Sequence, residues 1–140
     1  MTQFLERMYG KFAWVNVNTG LLFLRLGLGS IFIMTGLMKM TDMHSTVMFF
    51  ADLGFNAFWA YLVTFVELLG GISIVIGLGV YSRVAAKLLC IVMLVVIYLA
   101  HANFAMMLGP IALLFMTLSL ICTGPGKYSI MREGTGQLSA

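Results

Sequence analysis

The chain has 140 residues, of which 61% are hydrophobic and 9% are charged, with eight Lys or Arg against five Asp or Glu. A soluble domain of this length would carry about 35 charged residues. The composition therefore excludes an ordinary soluble domain, a disordered chain and a nucleic-acid-binding protein, and it predicts one integral membrane domain over residues 1–140 with the lipid bilayer as its partner.

Four apolar segments are long enough to cross a bilayer, because about 20 helical residues at 1.5 Å each span its hydrocarbon core. Each segment carries at most one charged residue. Helices are expected because an open sheet cannot satisfy its backbone hydrogen bonds in lipid. The four segments are residues 20–38, 58–80, 84–101 and 104–122.

The segments between the spans are short. The lead, residues 1–19, has an apolar side and is expected to lie on the membrane surface. Residues 41–53 predict a short amphipathic interfacial helix that ends at Gly54. Tight joins at 81–83 and 101–103 make consecutive spans antiparallel neighbours. The predicted fold class is an all-α membrane protein, a four-transmembrane-helix antiparallel bundle with an interfacial helix between helices 1 and 2.

The basic residues are distributed unevenly about these spans. Six lie near one end of the bundle, whereas Lys39 alone lies near the other. Because Lys and Arg accumulate on the cytoplasmic side, both termini are predicted to be cytoplasmic and the 41–53 helix to face outward. The six residues are Arg7, Lys11, Arg83, Lys87, Lys127 and Arg132.

Two ionisable residues, Arg25 and Glu67, lie deep inside spans. Such residues are costly in lipid and usually face the bundle interior or a cavity. Counting helical rises places Arg25 about 8–9 Å and Glu67 about 20 Å above the cytoplasmic end, with Lys39 and His101 at about 27–29 Å. Either Arg25 and Glu67 pair inside the bundle, or Glu67 forms the floor of an outward-facing polar pocket.

The heights slightly favour the pocket, with Lys39, His101 and Asn103 at its rim and Arg25 as an inner supporting charge. His44 and Asp42 are further rim candidates. A buried carboxylate beside cations would hold a proton or bind a polar ligand. Simpler interpretations stay open. They are snorkelling of Arg25 to the headgroups, helix packing by Glu67, and an ordinary interfacial position for His101.

Glycines lie in the same spans as Arg25 and Glu67. Small residues let membrane helices approach closely, and two glycines lie one turn beyond Glu67, so Glu67 is predicted to point at a neighbouring helix. The glycines in question are Gly27, Gly29 and Gly36 in the first span and Gly70, Gly71, Gly77 and Gly79 in the second.

Catalytic and metal-binding motifs are not found in the sequence. It contains no Ser/His/Asp arrangement, no phosphate-binding loop and no CxxC. His44 and His101 are too few for a metal site, and a haem held by both is disfavoured because they would lie on a loop and a turn. Cys90 and Cys122 are interpreted as structural thiols.

From about residue 22 to residue 130 the sequence resembles the DoxX family of small bacterial four-helix inner-membrane proteins. In this family a His often occupies the position of Thr35. Four sequence blocks occur in the family's order, each at the corresponding helix position. The blocks are Arg25-Leu-Gly-Leu-Gly-Ser-Ile-Phe, Glu67-Leu-Leu-Gly70-Gly71, His101-Ala-Asn103-Phe104 and the turn Gly124-Pro125-Gly126.

The resemblance implies a multi-pass protein of the bacterial inner membrane. Some members are similar to a membrane subunit of thiosulfate:quinone oxidoreductase, and others are linked to an oxidoreductase complex that handles oxidant stress. A non-catalytic or quinone-binding subunit associated with a redox enzyme is therefore expected, with quinone as the candidate cofactor. The alternatives are a membrane scaffold or assembly factor, and a small carrier of a solute or lipid that would work as a homo-oligomer.

Overall fold

The computed structural model describes residues 16–99 and 104–130, together with Gln3. The described residues form five helices and no strand, and four of the helices are long and apolar enough to cross a membrane. The predicted fold class is therefore confirmed. The first spanning helix already begins at Val17, three residues before its predicted start, so the end of the lead belongs to that helix. Most of the lead, and the join at 101–103, lie outside the described residues. The helices are α1 (Val17–Thr41), α2 (Met43–Asp52), α3 (Ala57–Ile76), α4 (Val80–Leu99) and α5 (Phe104–Thr123).

The tightest helix pair is α1 against α3. A Cβ atom built on Gly71 would lie 2.8 Å from the carbonyl oxygen of Gly29, so the two backbones are in direct contact. Further along α1, Gly36 faces Leu68. Going along α1 from Gly29 to Gly36, the contacting residue of α3 moves back from Gly71 to Leu68, so the two helices are antiparallel. Glycine at these positions is what allows the close approach.

Helix α3 ends four residues before the predicted end of its span. Gly77 adopts a left-handed conformation with φ of 74°, and its N–H donates to the Ser73 carbonyl at 3.0 Å. Glycine is the residue that accepts this conformation without strain. The turn therefore lies at residues 77–79, and the predicted join at 81–83 forms the first turn of α4.

A series of aromatic contacts joins α2 to the start of α3. Rings pack edge to face from Phe49 through Phe50, Phe55 and Trp59 to Phe58, with centroids 6.0–6.4 Å apart. We call this end of the bundle the α2 end. Aromatic belts are typical of the membrane–water interface, which agrees with the interfacial position predicted for α2.

The opposite end carries the turn Gly124-Pro125-Gly126, which we call the exit turn, and the apolar core lies closer to it. The buried residues of α5, Thr117 and Leu120, are both in the half of that helix nearest the exit turn. Towards the α2 end the buried positions come mainly from α1 and α3. The core comprises Leu28, Phe32, Ile74, Ala85, Ala86, Leu89, Met93 and Leu120.

Replacing Gly71 with Ala is expected to destabilise the bundle by about 1–3 kcal/mol, the usual cost of overpacking a tight interface. The new methyl group would meet backbone atoms of Gly29 and Ile33, which cannot rotate away. Gly27→Ala is the matched control because a Cβ there meets no atom within 4 Å. Thermal unfolding of both variants in one detergent is the measurement, and equal unfolding temperatures would contradict the contact.

Candidate functional site

Glu67 points into the bundle between α1 and α4. Four residues further along α3, Gly71 contacts α1, and three residues further along, Gly70 faces Leu89 of α4. Positions three and four residues apart lie on either side of one helix face. The Glu67 side chain is therefore directed between those two neighbours, and it is only 2% exposed. This orientation agrees with the prediction that Glu67 points at a neighbouring helix.

The partner of Glu67 is Lys39. The Lys39 Nζ atom lies 2.6 Å from each Glu67 carboxylate oxygen. Lys39 is in the last turn of α1, and helical side chains lean towards the N-terminus of their helix. Its ammonium group therefore extends back from the α2 end into the bundle, where it neutralises the carboxylate.

The two members of this pair differ in accessibility. The Lys39 side chain remains 30% exposed, whereas Glu67 is 2% exposed. The nearby hydroxyls are bonded within their own helices, since Thr64 donates to the Ala60 carbonyl at 2.8 Å and Thr35 donates to that of Phe32 at 3.1 Å. Lys39 is thus the more accessible member of a largely buried ion pair.

The other rim candidates have different positions. Asp42 caps α2, and its carboxylate accepts the Ser45 N–H at 3.1 Å. Hydrogen bonding to the Ser45 side chain, and then to the Ser45 N–H, lowers the pKa of Asp42 below its ordinary value. His44 is exposed in the first turn of α2. His101 and Asn103 lie outside the described residues, so their predicted place at the rim stays a prediction.

Arg25 lies away from Glu67 and binds main-chain carbonyls. Its Nε donates to Ile74, one Nη to Val75 and the other Nη to Pro125, each at 2.9 Å. With 1% exposure it does not snorkel to the headgroups. The first two acceptors are among the last carbonyls of α3, which carry the partial negative charge of a helix C-terminus.

Arg25 therefore fastens the exit turn to α1 and α3. Next to it, the Lys127 N–H donates to the Asn18 side chain at 3.1 Å. Gly77 completes the arrangement, because a Cβ there would overlap the Arg25 guanidinium. Sequence reasoning missed these partners because they are backbone atoms. Gly77 and Gly79 were the sequence feature that could have indicated a turn close to Arg25.

Glu67 therefore pairs with Lys39 and not with Arg25. The outward-facing polar pocket stays a prediction. A cation and a carboxylate in contact within an apolar bundle can donate a hydrogen bond or bind a polar headgroup. Among the described residues no group of three His, Cys, Asp or Glu could hold a metal ion.

A separate apolar groove of about 560 Å³ lies between α3 and α4. Glu67 does not line the groove, although Val66 and Gly70 on the adjoining face of α3 do. The groove and the ion pair are therefore distinct features. Among the lining residues are Phe58, Leu62, Phe65, Leu69, Val84 and Leu88.

Replacing Arg25 with Met is expected to lower the stability of the protein by at least about 2 kcal/mol, because hydrogen bonds from a charged group are each worth about 1.5–3 kcal/mol. Hydrogen exchange should also quicken at the amides of Gly124 and of residues 126–130. Lys87→Met is the matched control, since Lys87 is an exposed cation. Unchanged exchange in the exit turn would refute the fastening role.

Comparison with known proteins identifies the family of this chain. A Bacillus subtilis (strain 168) protein named "Putative oxidoreductase CatD" is 40% identical over 60 residues, which are 43% of this chain and 45% of that protein. The Escherichia coli (strain K12) inner membrane protein YqjF is 32% identical over 123 residues, 82% of this chain and 92% of that protein. No solved structure matches. Residues 20–102, more than half of the chain, match the DoxX family, and the chain is a membrane protein that belongs to this family.

Proposed function

We propose that the protein is a non-catalytic membrane subunit that serves an oxidoreductase and binds a quinone beside the Lys39–Glu67 pair. The observation that carries the proposal is this pair, with its 2.6 Å contacts and the partial exposure of Lys39. Small-molecule sites are mostly apolar with a few placed polar groups. Lys39 supplies such a donor in an apolar bundle.

The link to redox chemistry rests on a relative. CatD carries the word oxidoreductase in its name, and its match spans less than half of either chain. We propose that electron transfer is the task of a partner enzyme and that this chain holds the quinone close to it.

The proposed location is the bacterial inner membrane, with both termini in the cytoplasm. YqjF is named as an inner membrane protein and covers most of this chain. The described cations Arg83, Lys87 and Lys127 belong to the exit-turn end, which is the cytoplasmic end by the distribution of basic residues.

A scaffold or assembly factor is the second candidate. The observation that favours it is that both Glu67 oxygens accept from Lys39, so the carboxylate needs no ligand. In that case the pair would lock α1 to α3, and a partner protein would bind the outer surface of the bundle.

The protein is extracted from native membranes directly into nanodiscs. The amount of quinone in these nanodiscs is expected to exceed that in empty nanodiscs. The Lys39→Met/Glu67→Gln double variant should lose most of it, because the donor is absent while no lone charge is left buried. Mass spectrometry of the extracted lipids is the measurement.

Lys87→Met serves as the control for this experiment and should keep its quinone, because it removes an exposed cation from the opposite end of the bundle. Equal quinone in the wild type and the double variant would reject the proposal. It would favour the scaffold if a stoichiometric partner protein is still recovered with the double variant.

Cys122, exposed in the last turn of α5, tests the orientation. A membrane-impermeant maleimide should label it in inverted membrane vesicles but not in intact spheroplasts, because the exit-turn end is proposed to face the cytoplasm. Cys122→Ser removes the signal and controls for Cys90. Labelling of Cys122 in spheroplasts would reverse the proposed orientation.

A further inference from the structure

We infer that the site selects its ligand through one hydrogen-bond acceptor oxygen, held by Lys39, and that Glu67 is a positioning residue that does not touch the ligand. This inference rests on the proposed function and defines the ligand class more narrowly. For a quinone, the acceptor is one ring carbonyl.

Burial and bonding exclude Glu67 from direct contact. Its side chain is 2% exposed, and both carboxylate oxygens accept from Lys39 at 2.6 Å. A ligand that approached Glu67 would have to displace the ammonium and leave two buried charges apart. Separating a buried pair in this way is strongly unfavourable.

Lys39 has donor capacity left over. An ammonium group has three N–H donors, and a carboxylate that meets Nζ through its two oxygens uses at most two of them. At least one N–H therefore remains for another acceptor, on a side chain that is 30% exposed as a whole. A hydrogen bond from a charged donor is among the stronger ones available to a ligand.

The neighbouring polar groups do not compete for this role. The hydroxyl protons of Thr35 and Thr64 are donated to carbonyls of their own helices. Asp42 is held by Ser45 at the start of α2. Among these groups, Lys39 is the one that offers a donor to a ligand.

The charge arrangement sets the ligand class. The pair is neutral as a whole, but Glu67 is buried whereas Lys39 is 30% exposed, so a ligand would approach the pair from its positive member. A carbonyl oxygen is attracted to this positive member, whereas an ammonium headgroup is repelled. A neutral carbonyl compound also avoids carrying a full charge into the apolar bundle.

The inference is tested with two matched probes, a short-chain prenylated 1,4-naphthoquinone and the naphthalene with the same chain but no carbonyl oxygens. Binding to the full chain in nanodiscs is measured by equilibrium dialysis, with empty nanodiscs subtracted. The quinone should bind at least about tenfold more tightly, as expected for one hydrogen bond to a charged donor.

Variants separate the two residues. Glu67→Gln should weaken both probes but keep the ratio of their affinities, because it loosens the position of Lys39 without removing the donor. Lys39→Arg should keep the ratio for the same reason. Lys39→Met/Glu67→Gln should reduce the ratio to about one, and it avoids the misfolding expected when a lone carboxylate is left buried.

Each result decides a different question. Equal affinity of the wild type for the two probes, or loss of the ratio in Glu67→Gln, overturns the inference while leaving quinone binding intact. Failure of the wild type to bind either probe overturns the proposed function as well. Lys87→Met should behave as the wild type throughout and controls for the general loss of a cation.

Discussion

The close contact between the α1 and α3 backbones is the constraint on which both buried polar groups depend. Gly29 and Gly71 let the two helices meet without side chains between them. Because the helices are antiparallel, this contact brings Arg25 to the last carbonyls of α3 and brings Lys39 within reach of Glu67. A bulkier residue at the crossing would separate both sets of partners at once.

The two ends of this helix pair solve the problem of charge in lipid differently. At the exit-turn end, Arg25 donates hydrogen bonds to carbonyls of a helix C-terminus and of the exit turn, so main-chain atoms stabilise this cation. At the α2 end, Lys39 is satisfied by a full negative charge. Arg25 thus uses main-chain carbonyls that the fold already provides. Lys39 instead depends on a buried acidic side chain, Glu67.

Hydropathy and the regular helical rise predict some features of this structure and leave others undetermined. Four long apolar runs admit few structures other than spanning helices, so the bundle was predictable from hydropathy. The regular helical rise also placed Glu67 slightly closer in height to Lys39 than to Arg25, and Lys39 is the residue that contacts it. The end of α3 was not predictable from hydropathy, because the run stays apolar through Val80 while the helix stops before Gly77. The acceptors of Arg25 are main-chain atoms and leave no pattern of residue types in the sequence.

Arg25 also shows how this fold buries a cation whose role is structural, and the comparison with Lys39 bears on function. Arg25 is 1% exposed and uses Nε and both Nη atoms on protein carbonyls. If Lys39 served packing alone, similar enclosure would be expected, because partial exposure weakens an ion pair by solvent screening. Lys39 instead keeps 30% of its side chain open. A helix-packing role for the pair does not require that opening, whereas a ligand-binding role does, and this difference is why we favour a quinone site over a scaffold.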